Sequence, residues 1–178
     1  TASQTLAYTK PGNPSGFVND FAGIFTAAQK QNLETKLSAY EKQSTNEVSV
    51  VTVKNLGGDY IENYAVKLFK DFGIGKKDRN NGLLLLIALE DREMRIETGY
   101  GLEGDLTDAE SASIIRNVLT PAFQKGDYYG GVNTATDLII RKLSGEQINI
   151  PVSKPKVNIN FNFFFFLFFF VFSFLSSV

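Results

Sequence analysis

Apolar residues recur with helical spacing in four stretches of the chain and with strand character in three. Ile61, Tyr64, Ala65, Leu68, Phe69 and Phe72 follow the i, i+3, i+4, i+7 rule without a miss, and Gly73 stands just beyond them, which predicts a helix that ends there. Thr26-Ala27-Ala28-Gln29 reads as a capping box, followed by Leu33, Leu37 and Tyr40 on one face of a helix reaching about Gln43. A second capping box, Thr107-Asp108-Ala109-Glu110, opens a helix carrying Ile114, Ile115, Val118 and Leu119 and ending before Pro121. A last helix, from about Gly131 to Leu143, aligns Val132, Ala135, Ile139 and Leu143.

Glu47 to Val53 is rich in β-branched residues, and Leu83 to Leu89 is apolar at every position. A continuous apolar strand is expected where helices cover both faces of a sheet. Glu90-Asp91-Arg92-Glu93 interrupts the run with four charges, after which Met94, Ile96 and Thr98 alternate with Arg95 and Glu97 in a returning antiparallel strand. Asn80 to Glu103 is therefore the centre of the fold. The element order, a helix and then β-α-β-β-α-α, predicts an α/β protein, a three-layer α/β/α sandwich on a mixed central sheet.

Length and composition narrow this further. The chain has 178 residues, enough for one domain of ordinary size and too few for two. With 18 basic and 19 acidic residues there is no global field to draw it to nucleic acid. Cysteine and histidine are both absent, which removes disulfides, thiolate nucleophiles, imidazole acid–base chemistry and the usual zinc sites. Any metal would be held by oxygen alone, which suits calcium, magnesium or manganese. The chain begins at Thr1 and its one methionine is Met94, so a leader removed on export is one explanation and a trimmed chain is another.

The two ends differ from the middle. Residues 1–15 form an N-terminal extension, residues 16–144 the domain, and residues 145–160 a linker with two prolines and no periodic pattern. Residues 161–178 hold ten of the 16 phenylalanines in a hydrophobic tail. Its apolar run is short against a hydrocarbon core of roughly 30 Å, so it is a candidate membrane segment of marginal length, or a low-complexity end.

Gly99-Tyr100-Gly101-Leu102-Glu103-Gly104 matches G-x-G-x-x-G between a strand and a helix. Glu103, Asp105 and Asp108 place negative charge where a pyrophosphate would need the helix N-terminus, and the preceding strand is the return arm of a hairpin, so the glycines are expected only to make a tight turn. Gly73 to Lys77 lacks the spacing of a phosphate loop and reads as a mobile basic loop. Tracing chain direction brings Asp20, near the start of the first helix, Asp91 in the hairpin turn and Asp127 after the third helix to one edge of the sheet. Ligands in open α/β sheets bind at the carboxyl ends of the strands, and clustered carboxylates need a cation, so the three are candidate metal ligands with Arg92 beside them. Each alone is as readily a helix cap or turn residue.

The segments FVNDFAGIFT, EVSVVTVKNLGGDYIENYAVKLFKDFGIGKKDRNNGLLLLIALEDREMRIETGYGLEGDLTDAE and FQKGDYYGGV together resemble the TPM domain family over roughly Gly16 to Leu143. That family includes photosystem II repair proteins and bacterial exported proteins. The resemblance implies an α/β/α fold, an extracytoplasmic location at the periplasm or cell surface, and Ca2+ or Mg2+ binding, with phosphatase activity suggested for some plant members. Asp20, Asp127 and the Asp91-Arg92 pair match the family's motif positions. Members often end in a membrane helix and a glycine-rich tail, and the glycine-rich part is absent here.

Three functions compete on this reading. One is an extracytoplasmic, divalent-cation-binding accessory or maintenance factor for a membrane protein complex. A second is a metal-assisted phosphatase with Arg92 as the candidate catalytic residue, and a third is a metal-independent protein-binding module.

Overall fold

In the computed structural model, which describes residues 8–75 and 78–149, four strands form one sheet in the order β1-β2-β3-β4. β2 (Glu47–Val53) and β3 (Gly82–Ala88) are its long parallel centre, and β4 (Glu93–Thr98) returns antiparallel. β1 (Val18–Asp20) adds a short parallel strand beside β2, with Asp20 in register with Thr52. Three residues, one of them an aspartate, carry too little alternation to be recognised as a strand, which is why the sequence pattern missed it. The sheet is mixed, as expected.

Every residue of β3 is buried. Successive side chains point to opposite faces, so Leu83, Leu85 and Ile87 join one core while Leu84, Leu86 and Ala88 join another. The first core is covered by α1 (Ala27–Ser44), α3 (Asp108–Ile114) and α5 (Tyr128–Leu143), the second by α2 (Ile61–Phe72). This is the expected three-layer sandwich. β1 thus leads into a helix on one face and β2 into a helix on the other. Both connections step the same way across the sheet, so the two crossovers have opposite hand, and one departs from the right-handed rule.

The capping signals form as expected. Thr26 and Gln29 exchange bonds at the start of α1, Thr107 and Glu110 at the start of α3, and Gly73 ends α2 in the left-handed conformation. The glycines after β4 make a turn: the Gly99 and Gly101 amides donate to Gly82 and Asn80 carbonyls (2.8 and 3.1 Å), and a Cβ at either position would collide with the 79–80 backbone. A 3-10 turn, Tyr100–Leu102, follows.

The third helix corrects its expected outline. It widens into a π-helical turn at Ile115–Leu119 and runs on through α4 (Thr120–Gln124), with Pro121 in the first turn of α4. Pro121 has no N–H for the Asn117 carbonyl and its ring crowds that carbonyl, and a wider turn before it relieves both. The last helix begins at Tyr128 rather than Gly131, which makes Asp127 its N-cap. Lys76, Lys77, the hydrophobic tail and the linker beyond Asn149 lie outside the described residues. Among the described residues no helix is long and apolar enough to cross a membrane.

The Lys142 ammonium on α5 donates to the Glu110 carboxylate on α3 at 2.8 Å. That bond, outweighing the burial that opposes it, holds the Glu110 pKa below its ordinary value. The folded value lies below the unfolded one, so the stabilisation is full above the unfolded pKa and is lost as pH falls through the folded one. Urea melts from pH 7 to pH 3 should therefore show Glu110→Gln losing less stability on acidification than the wild type. Parallel curves would remove the pair from the account.

Candidate functional site

The carboxyl ends of β1, β2 and β3 share one edge, and the chain leaves β1 and β2 for opposite faces there. Such a divergence opens a crevice in an α/β sheet. Asp20 stands in it at the end of β1. Its Oδ1 accepts from the Ile24 amide (3.1 Å) and the Thr52 hydroxyl, and its Oδ2 accepts from the Phe25 amide (2.9 Å). Thr52 Oγ1 in turn accepts from Ala22 N at 3.1 Å. The half-buried carboxylate closes the turn into α1 and ties it to β2.

Asp91 lies two strands further on, in the hairpin turn after β3. Its Oδ2 accepts from Leu56 N at 2.8 Å, while Glu90 accepts from the Asn55 side-chain amide at 2.7 Å. Two backbone bonds, Leu89 N to Val53 O and Glu90 N to Lys54 O, complete the attachment of the hairpin to the loop after β2. Asp127 is exposed and accepts from Gly130 N at 2.9 Å as the cap of α5.

The three aspartates lie at the same end of the molecule, but each serves a different backbone segment. β1 and β3 are two strand spacings apart, about 10 Å. Among the described residues no group of three or more acidic side chains is placed to hold a metal ion, so the expected three-carboxylate convergence is not formed. Asp91 Oδ1 and Asp127 Oδ2 accept no hydrogen bond among the described residues. A cation here would be held by one or two carboxylates with water completing its shell, as magnesium commonly is.

What the sequence did not foresee is a cleft of about 490 Å³ beside this edge, between the β3–β4 hairpin and the α4–α5 corner. Ile87, Leu89, Met94, Phe123 and Tyr128 give it apolar walls, with the Phe123 and Tyr128 rings edge to face at 5.0 Å. Arg92, Glu93, Thr120 and Gln124 supply its polar groups. The π turn and Pro121 set the register that brings Thr120, Phe123 and Gln124 to the wall, and that register is not written in apolar periodicity. Glu34 was missed as well. Its carboxylate accepts from Phe17 N (3.0 Å) and Val18 N (2.8 Å) and so fixes the start of β1 against α1; a glutamate between Leu33 and Leu37 was the available signal.

A family model described as the TPM domain matches residues 18–142. The solution structure of the N-terminal domain of a P. gingivalis protein is 33% identical to this chain, with a TM-score of 0.70 over 78% of this chain and 94% of that one. The N-terminal domain of the cg2496 protein of Corynebacterium glutamicum shares the fold at 21% identity, with a TM-score of 0.55 over 85% and 93% of the two chains. So does the BA42 protein of the psychrophilic bacterium Bizionia argentinensis, at 18% identity and a TM-score of 0.59 over 73% and 94%. No protein of curated function matches.

Removing the Asp20 carboxylate strands two backbone amides and a hydroxyl. Asp20→Ala should destabilise the fold by about 1–3 kcal/mol in urea denaturation, and by the same amount with or without calcium. A loss seen only with calcium present would make Asp20 a ligand instead of a cap.

Proposed function

The chain belongs to the TPM domain family, and on that premise we propose that it is a non-catalytic binding domain outside the cytoplasm, an accessory or maintenance factor that docks on a membrane protein complex through the carboxyl edge of its sheet. The observation that carries this reading is the cleft at that edge, half apolar and rimmed by Arg92. Concave, largely apolar sites with a few converging polar groups are where proteins bind ligands.

The carboxylates favour binding over hydrolysis. A phosphatase needs a nucleophile or base free to act, and Asp20 and Asp91 already accept from main-chain amides that the fold would leave unpaired without them. The location and the kind of partner rest on the family premise. A photo-crosslinking residue at Gln124, on the cleft, should give discrete adducts with a membrane protein in native envelopes, whereas one at Gln31, exposed on the outer side of α1, should not. Equal labelling from both positions would sink the docking face.

A divalent cation is the second reading, favoured by the unbonded oxygens of Asp91 and Asp127 at the same edge. Sparse protein coordination predicts weak binding. Adding calcium or magnesium at millimolar concentration should shift backbone amide resonances around Asp91 and Asp127 and leave those of Ile24 and Phe25, bound by Asp20, nearly unmoved. No shift near either residue would dismiss the cation.

A further inference from the structure

Resting on the docking reading above, we propose that the cleft takes the free carboxyl terminus of a partner polypeptide, with the terminal carboxylate on Arg92 and its apolar side chain between Phe123 and Met94.

Three observations converge on Arg92. Its exposed side chain lines the cleft and makes no hydrogen bond or ion pair among the described residues. Its backbone is left-handed, at φ 58°, in a turn where glycine or asparagine would be relaxed. The hairpin that carries it is pinned to β2 by the Asp91, Glu90 and Leu89 bonds, so the guanidinium is presented from a fixed base. A guanidinium is a planar fork of donors that matches a carboxylate or phosphate at two points.

The remaining lining selects between those anions. Glu93 is the one carboxylate in the wall, and it would repel a dianionic phosphate. A terminal residue of a peptide instead presents a carboxylate and, one residue's span away, an N–H that Glu93 can accept. Thr120 and Gln124 add side-chain donors from α4 that can serve the peptide's backbone carbonyls. A volume of about 490 Å³ admits an apolar side chain with its flanking backbone, not a folded surface. The occupant is therefore an extended chain end with an apolar last residue.

The test titrates the full chain with N-acetylated pentapeptides ending in Leu, Phe, Val or Ala, each as the free acid and as the carboxyl-terminal amide, while amide resonances of Arg92, Thr120 and Gln124 are followed. At least one free acid should bind, and its amide should bind about tenfold or more weakly, the loss expected for a charge-assisted bond. Arg92→Gly, which relaxes the φ 58° backbone, should keep the wild-type melting temperature or raise it and yet reduce acid binding to the level of the amide. Arg92→Lys, which keeps the charge without the fork, should fall between. Equal binding of acid and amide, shifts away from the cleft, or no binding by any of the free acids would overturn the carboxylate site. Adducts at Gln124 combined with such a failure would leave the docking face standing and remove only its ligand, whereas loss of both would remove the docking reading itself.

Discussion

The rest of the molecule depends on β3 being buried on both faces. Seven consecutive residues, Gly82 to Ala88, have no contact with solvent beyond a few per cent, so their side chains need apolar partners above and below the sheet. Each fully buried leucine contributes about 1.5–3 kcal/mol relative to exposure. β2 supplies the parallel neighbour with the same division of faces, Val48 and Val50 to one core and Val51 and Val53 to the other. The helices then have no choice of layer. α2 closes the second core, and α1, α3 and α5 close the first.

A sheet buried in this way ends abruptly, and its strand ends must be tied. This chain ties them with acidic side chains that accept from main-chain amides. Glu34 holds the start of β1, Asp20 closes the turn after it, and Asp91 anchors the hairpin to the loop after β2. Each carboxylate takes an N–H that would otherwise be stranded near the core, and charge-assisted bonds of this kind are stronger than neutral ones. The negative charge at the carboxyl edge therefore has structural work before it has any ligand. It also builds the site, because the hairpin that Asp91 pins is the one that carries Arg92 into the cleft.

Much of the fold was legible in the sequence because burial on one or two faces leaves a periodic trace. The apolar run before Glu90, the i, i+3, i+4 spacing before Gly73 and the two capping boxes each specify local geometry that needs no distant partner. β1 left no such trace. Three residues cannot show a period, and its pairing with β2 depends on Glu34, which is distant along the chain. The π turn was equally silent, since Pro121 announced an ending where the chain widens its helix and continues.

By itself the sequence determined the three longer strands, the helices around them, their order and the two-sided burial of the central strand, because each is written in local composition and spacing, and its long segments carried the resemblance to the family. It also placed Asp20, Asp91 and Asp127 at one end of the molecule, since chain direction through parallel strands fixes which ends coincide. Only the tertiary structure decided that these carboxylates face separate backbone segments, that the two crossovers differ in hand, and that Arg92 is left free beside Phe123 and Tyr128. The physical reason is that direction along a strand is inherited from the chain, whereas lateral distance and the side-chain partner are set by packing across the sheet.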